Sequence, residues 1–478
     1  MQLLGFLKKN GLHLVALLAA ASCSSSNNNT DANADSRTTY DVAADRPTDG
    51  NVNLPDAGTD GIVVADAPFG DAPSDASDAG IALDTARADG PADAPRDAAS
   101  ADAPPIIDGA QIDGAQLDGA PLDVGGLAVD GGITTTFTAT LTGAQETPPT
   151  TSTAVGSALF TLSADRTQLA YHVIHNVTGG TASHIHLAGG GEPGAIIYPL
   201  TPFSSDMSGV INITAADAVN LAQGLFYVNV HSTTYPAGEI RGQILRPGET
   251  LWIANLTGSQ ETPAVTTTAS GHASIIVDST QTSIRYHVST TGITPTGAQI
   301  QDAIATLSGV VIYQFSSVAA VIDGTQTITA TDNGEIADRH WYVNILTASN
   351  ANGELRGQVL QPGEVLYTAM LRGADETPPV TTSATGNAQF VLDPARTSLR
   401  YEAMFSGLSA ISSHIHLGAT GMAGPVIYPL TLTSPTMAKG TQTVTADDLL
   451  NLDAGLFYIN AHTTANPNGE IRGQIGKP

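Results

Sequence analysis

The sequence contains a single cysteine, Cys23, among 478 residues. An intramolecular disulfide framework is therefore excluded, and any folded part must be stabilised by core packing. Basic residues are also scarce, with 18 Lys and Arg against 45 Asp and Glu and a formal net charge of −27. Because no basic stripe offsets this acidity, we expect no nucleic-acid partner. The sequence also lacks nucleophile-elbow, P-loop and zinc-protease motifs, so we expect a protein that is not an enzyme.

The first residues, 1–22, have the pattern of an export signal. Two lysines at 8–9 precede an apolar run at 12–21, and small residues stand directly before Cys23. The run is too short for a permanent transmembrane helix. The segment resembles the lipobox of bacterial lipoproteins, which implies that Cys23 is lipidated and anchors the chain to a membrane of the cell envelope, facing the surface or the periplasm. An ordinary cleaved signal with an incidental cysteine is the alternative.

The next segment, 23–132, has a composition of its own. After the cysteine it holds 21 Asp, four Arg and no Glu or Lys, and its aromatic residues are Tyr40 and Phe69. So little apolar surface cannot offset the entropy lost on ordering. The composition therefore predicts a disordered, self-repelling spacer ahead of the rest of the chain.

The remainder of the chain is one module written three times. Each copy has a Glu-Thr-Pro sequence, at Glu146, Glu261 and Glu376, and successive copies are 115 residues apart. Apolar and polar residues alternate with a period of two and are interrupted by Gly, Pro and Thr. This pattern predicts an all-β protein with three tandem antiparallel β-sandwich domains of the Ig-like or Greek-key type. The predicted domains are 133–247, 248–362 and 363–478.

Two of the three copies share three histidines. These are His184, His186 and His231 in copy one and His414, His416 and His462 in copy three, where copy two has Gln299, Gln301 and Leu346. Residues two apart on a strand face the same way, so the His-x-His pair shares one face while Ile185 and Leu187 face the core. If the strand of the third histidine pairs with this one, three imidazoles converge into a Zn²⁺ or Cu²⁺ site that weakens below roughly pH 6.5. The alternatives are a polar, hydrogen-bonded sheet face without cofactor and a proton- or ligand-binding role.

Charged residues form a second set, which all three copies keep. The set is Glu146, Glu239 and Arg241, then Glu261, Glu354 and Arg356, then Glu376, Glu470 and Arg472. Because the copy without histidines retains them, we interpret them as structural. Glu239 and Arg241 share a strand face, which indicates a cross-strand ion pair or a bridge from the arginine to carbonyl groups.

Four motifs together resemble the CHRD (chordin-type) domain family: Gln-Glu-Thr-Pro, His-Ile-His, Tyr-Val-Asn-Val-His and Gly-Glu-Ile-Arg-Gly-Gln. The resemblance extends from about residue 134 to 478, three times over. It implies a β-rich extracellular module whose molecular function is largely undefined. We therefore expect a non-catalytic, surface-tethered array that binds or spaces an unknown extracellular ligand. A metal-binding protein that uses the histidines and an inert envelope stalk are the alternatives.

Overall fold

The structure, a computed structural model, describes residues 134–478. The predicted export signal, Cys23 and the predicted spacer lie outside the described residues. Among the residues described, no helix is long and apolar enough to cross a membrane.

Repeat one is built from two four-stranded antiparallel sheets that are joined at a seam into one eight-stranded sheet. Its elements are β1 (Thr135–Thr142), β2 (Val155–Leu162), β3 (Gln168–His175), β4 (Gly180–Leu187), β5 (Ala195–Pro199), β6 (Asp206–Asn212), α1 (Ala215–Gln223), β7 (Phe226–Ser232) and β8 (Ile240–Gln243). The strand order β6-β3-β2-β1 gives one sheet and β8-β7-β4-β5 the other. A pairing of Thr142 with Arg241 joins β1 to β8 at the seam.

Repeat two has the same order in two separate sheets, β14-β11-β10-β9 and β16-β15-β12-β13. Its elements are β9 (Thr250–Leu256), β10 (Ser270–Val277), β11 (Ser283–Thr291), β12 (Pro295–Asp302), β13 (Val310–Gln314), β14 (Val321–Thr327), α2 (Ala330–Ala337), β15 (Trp341–Thr347) and β16 (Leu355–Gln358). At the seam, an isolated bridge pairs Thr257 with Arg356.

Repeat three adds one short strand to the same plan. Its elements are β17 (Val365–Arg372), β18 (Thr385–Leu392), β19 (Ser398–Ser406), β20 (Ser412–Leu417), β21 (Val426–Leu430), β22 (Leu432–Ser434), β23 (Met437–Thr443), α3 (Ala446–Asp453), β24 (Phe457–His462) and β25 (Ile471–Gln474). The sheet order is β21-β20-β24-β25-β17-β18-β19-β23-β22. The elements of every repeat lie within its predicted domain limits.

Each repeat has its own apolar core between its two sheets. In repeat one, Phe137 and Phe160 from the first sheet pack with Phe226 and Val228 from the second. The inward residues alternate along each strand, as the sequence pattern predicts. The predicted all-β class and the sandwich architecture are confirmed.

One inward assignment is wrong. Ile185 is fully buried, but Leu187, expected on the same core face, is 37% exposed. The pairing of β4 with β5 shifts register between Ile185 and His186, which interrupts the regular pleat just before the strand ends.

The short helix of each repeat begins in the same way. In repeat one, the Thr214 side chain accepts a hydrogen bond from the Asp217 amide, and the Asp217 carboxylate accepts one from the Thr214 amide. Tyr198 also donates to Asp217, at 2.6 Å, which ties the helix to the strand β5. The predicted helix after Thr214 is confirmed, and it ends at a left-handed Gly224.

Successive repeats contact each other directly. Glu192 of repeat one lies 3.3 Å from His287 of repeat two. The Ala305 amide of repeat two donates to Gln389 of repeat three at 2.8 Å. Because these contacts lie outside the short Pro-Gly linkers, the repeats are joined by more than the linkers.

Candidate metal centres

The histidines of repeat one lie on two neighbouring strands. β4 pairs with β7, with His184 opposite Asn229 and His186 opposite Tyr227. Nδ1 of His184 is 3.0 Å from Nε2 of His231. One nitrogen from each of the three rings lies within 4.8 Å of the others. The predicted convergence of the three imidazoles is confirmed; metal binding itself stays a prediction.

Backbone carbonyls determine which nitrogens carry protons. Nδ1 of His186 is 2.9 Å from the Gly194 carbonyl, and Nδ1 of His231 is 3.0 Å from the Pro236 carbonyl. A carbonyl can only accept, so both Nδ1 atoms carry the hydrogen. In the neutral rings Nε2 then carries the lone pair, and this is the tautomer in which metal-ligating histidines are held by their surroundings. Nε2 of His231 faces Nδ1 of His184, and Nε2 of His186 lies against the Asn229 amide.

Repeat three reproduces this arrangement. Nδ1 of His414 is 2.9 Å from Nε2 of His462, and the Nδ1 atoms of His416 and His462 are each 3.0 Å from a backbone carbonyl, of Gly424 and Pro467. Nε2 of His416 is buried and has no hydrogen-bond partner. An unpartnered buried nitrogen is unfavourable unless something binds to it.

Burial favours the neutral form of two rings in each triad. Burial, followed by the neighbouring imidazoles, lowers the pKa of His184 and of His414 to about 4. Burial also lowers the pKa of His186 and of His462. These lowered pKa values favour the neutral form that a metal requires. The expected weakening of metal binding below roughly pH 6.5 stays a prediction.

We expect His184→Gln with His414→Gln to flatten the pH dependence of metal-free stability. Unfolded histidine accepts a proton near pH 6.5, whereas these two rings resist it down to about pH 4 in the folded state. Between those values the unfolded chain binds more protons, so stability is full above about 6.5 and falls as the pH falls toward 4. Urea midpoints measured with a chelator across this range test the prediction. The glutamines match Gln299 of repeat two, and an equally steep decline in the variant would contradict it.

Repeat two fills the same place with a hydrogen-bonded amide network. Asn344 Nδ2 donates to Gln301 Oε1 at 3.0 Å and to the Asn352 carbonyl at 3.0 Å. In repeat one the corresponding pair is Asn229 Oδ1 and His186 Nε2, at 3.1 Å. The glutamine therefore preserves one contact of the sheet face without offering a nitrogen ligand.

Arg241, the retained arginine of repeat one, lies beneath the histidine triad. Arg241 is buried and donates to the carbonyls of Gly189, at 2.9 Å, and Glu192, at 2.6 Å. Its guanidinium lies 3.4 Å from the centre of the Tyr227 ring, and His186 stacks on that same ring at 4.7 Å. The predicted bridge from the arginine to carbonyls is confirmed, and it fixes the loop that presents Gly194 to the histidine.

Arg356 and Arg472 make the same contacts in the other two repeats. We call this arrangement, a buried arginine that donates to two loop carbonyls, the arginine clamp. Arg356 donates to the carbonyls of Leu307 and Ile304, and Arg472 to those of Met422 and Ala419. Since repeat two keeps the clamp without a triad, the clamp first serves the fold.

The retained glutamates divide into two kinds. Burial raises the pKa of Glu146 and of Glu261 to about 7 and also raises that of Glu376, with the nearby arginine opposing the shift. One carboxylate oxygen of each is buried without a hydrogen-bond partner. The second kind accepts a hydrogen bond from a hydroxyl group that is distant in sequence: Ser152 donates to Glu239, Thr267 to Glu354 and Thr382 to Glu470. The ion pair considered for Glu239 and Arg241 gives way to these separate contacts.

The supporting contacts of a tyrosine and an asparagine to the triads were not predicted from the sequence. Tyr227 stacks between His186 and Arg241, and Asn229 contacts His186. A signal was present, because the Tyr-x-Asn pair occurs in all three copies, including the copy without histidines.

The fold and the site define a class of protein: tandem antiparallel β-sandwich repeats with a buried arginine clamp and, in two copies, a histidine triad. The chain belongs to the CHRD domain family, since the CHRD domain model matches residues 137–244, 252–359 and 367–475. These matches cover most of the described part of the chain.

Two curated relatives carry the name chordin. The protein from Danio rerio is 32% identical over 194 residues, which is 35% of this chain and 20% of that protein. The protein from Xenopus laevis is 31% identical over 158 residues, which is 29% of this chain and 16% of that protein. The chain thus spans a fifth or less of the length of these relatives. No solved structure matches it significantly.

Proposed function

We propose that this chain is a non-catalytic array of CHRD domains that acts outside the cell, and that repeats one and three each bind one Zn²⁺ or Cu²⁺ ion. The observation that carries the metal assignment is the arrangement of hydrogen bonds. In each triad, two rings donate Nδ1–H to backbone carbonyls, so their Nε2 atoms carry the lone pairs that a metal ion would bind. The buried, unpartnered Nε2 of His416 adds to this support.

Three imidazoles are a suitable donor set for these ions. Zn²⁺ and Cu²⁺ both accept imidazole nitrogen, and three protein ligands leave a further coordination position for water or for a group from a binding partner. The His184 and His231 rings are only partly buried, so that position is reachable from solvent. An exposed position of this kind suits the recognition of an extracellular ligand that presents a carboxylate or an imidazole.

Repeat two lacks the triad and has a different role in the array. It keeps the clamp of Arg356 on Tyr342, at 3.6 Å, but has no histidine on that sheet face. Its role in the array is to space and connect the two triad repeats.

The metal content of the purified protein, before and after chelation, tests the assignment. We expect Zn²⁺ or Cu²⁺ to co-purify and to be restored to the stripped protein. If the stripped protein takes up neither ion, the hydrogen-bonded sheet face remains as the explanation for the triads.

Membrane tethering is the second part of the proposal, and it rests on the sequence around Cys23. We expect Cys23→Ser to move the protein from the membrane fraction to the soluble fraction, because the lipid-bearing thiol is removed. Fractionation of cells that express the two forms provides the measurement. A Cys23→Ser protein that stays with the membranes rules out the lipid anchor and leaves the metal assignment untouched.

A further inference from the structure

A second type of side-chain cluster is present in repeat two alone. Asp302 ends β12, Glu335 lies in α2, and His340 directly precedes β15. One ligand atom from each residue lies within 4.8 Å of the others. These positions correspond to Leu187, Asn220 and Leu225 in repeat one and to Leu417, Asn451 and Leu456 in repeat three. Three potential ligands thus occur together in the one repeat that lacks the histidine triad.

The imidazole is the centre of this cluster. Nδ1 of His340 is 2.6 Å from Oε2 of Glu335 and 4.0 Å from Oδ1 of Asp302. Oδ1 of Asp302 is buried and has no hydrogen-bond partner. Two carboxylates therefore face one ring nitrogen, and one of their oxygens is unsatisfied.

Repeat three supplies the group behind the ring. Nε2 of His340 is 3.0 Å from Oε2 of Glu402, a carboxylate that is 7% exposed. Lys439 binds the same carboxylate at 3.0 Å and holds it in place. A carboxylate that accepts the hydrogen of one imidazole nitrogen orients the other nitrogen toward a metal.

The carboxylates and the ammonium lie on opposite sides of the His340 ring. Asp302 and Glu335 both face Nδ1, whereas Lys439 binds Glu402 on the Nε2 side. When His340 is neutral, the negative charge of Asp302 and Glu335 is therefore available to a cation.

We propose that Asp302, Glu335 and Nδ1 of His340 bind a divalent cation of the Mn²⁺ class, with Glu402 of repeat three accepting the Nε2–H. Two carboxylates and one imidazole suit Mn²⁺ better than the all-imidazole triads do, because oxygen donors favour the harder ions. Ligand atoms around such an ion lie about 3 Å apart. On binding, Glu335, which is 34% exposed, moves away from the ring by a few tenths of an ångström, and Asp302 moves toward it by about 1 Å. The bound ion orders the hydrogen bond that crosses from repeat two to repeat three.

The competing arrangement is a protonated His340 that bridges Glu335 and Glu402 without metal. Both ring nitrogens then donate, at the 2.6 Å and 3.0 Å contacts already present. The two arrangements differ in a measurable way, because Mn²⁺ replaces the proton on Nδ1. Asp302 is essential only to the metal-bound form.

Titration of the full chain with Mn²⁺, followed by the electron paramagnetic resonance signal of the free ion, tests the proposal. We expect the wild type to bind Mn²⁺ and Asp302→Leu to weaken that binding at least about 10-fold. Leucine is the residue of the other two repeats at this position, so the fold should tolerate it. Fluorescence of Trp341, which follows His340 directly, verifies that repeat two is folded.

Two further variants separate this site from the triads. His186→Gln with His416→Gln should leave Mn²⁺ binding unchanged, and Asp302→Leu should leave uptake of Cu²⁺ by the triads unchanged. Equal Mn²⁺ binding by wild type and Asp302→Leu, or no binding by the wild type, overturns the proposal and leaves the protonated bridge. Neither result affects the triads, whose failure would instead appear as absent Cu²⁺ uptake.

Discussion

His186→Gln with His231→Leu is expected to remove one equivalent of bound Zn²⁺ from the full chain. Both substitutions copy the residues of repeat two, Gln301 and Leu346, and they delete the two rings whose Nδ1 atoms are held by carbonyls. Since His184 is then the one imidazole left in this triad, the affinity of repeat one for Zn²⁺ should fall by about 100-fold or more. Isothermal calorimetry of the stripped protein measures both the stoichiometry and the affinity.

The same change in repeat three provides a replicate and an internal control. His416→Gln with His462→Leu should remove a second equivalent, and the four-residue variant should lose both. Repeat two shows that this sheet accepts glutamine and leucine, so the circular dichroism spectrum should not change. Uptake that is the same in all variants would disprove the triads as metal ligands and return them to the hydrogen-bonded sheet face.

The triad was predictable from sequence because strand periodicity fixes which side chains share a face. His184 and His186 are two residues apart on β4 and therefore share a face. Because copy two lacks all three histidines together, the three can be recognised as a unit. The partners that set their tautomers were not predictable. The carbonyls of Gly194 and Pro236 carry no residue-type signature, because every residue has one.

The carboxylate–histidine cluster of repeat two was not predicted from the sequence, for a related reason. Asp302, Glu335 and His340 are distant in sequence and meet only because the end of β12, the helix α2 and the start of β15 lie together. Strand periodicity says nothing about residues at the ends of different elements. Alignment of the three copies holds the signal, since Asp302 replaces a leucine there.

The three arginines of the clamp were predicted to be structural, but the extent of their burial was not predicted. A motif shows that Arg241, Arg356 and Arg472 recur, whereas the structure shows that each side chain is 2% exposed and lies on a tyrosine ring. The guanidinium is this deeply buried because the loop between the fourth and fifth strands of each repeat folds over it. A local sequence pattern contains no information on that packing.

Arg356→Met is expected to be among the most destabilising single changes in the described part of the chain. The guanidinium donates to the Leu307 carbonyl at 2.7 Å, the Ile304 carbonyl at 3.2 Å and Gln358 at 3.2 Å. Methionine fills much of the volume but leaves these buried acceptors without donors. The free energy of unfolding of repeat two should fall by about 3 kcal/mol or more.

Repeat two is the right place for this measurement because both tryptophans of the chain, Trp252 and Trp341, lie in its core. Tryptophan fluorescence in urea therefore follows the unfolding of this repeat within the full chain, and no histidine triad complicates the result. Arg356→Lys should recover only part of the loss, since an ammonium cannot donate to two carbonyls in the forked geometry or stack flat on Tyr342.

Arg400→Met is the matched control: the Arg400 side chain is 42% exposed and pairs with Asp338 at 3.1 Å. Such an exposed pair contributes little, so the tryptophan transition should barely move. A shift as small for Arg356→Met as for Arg400→Met would show that the clamp does not hold the fold together.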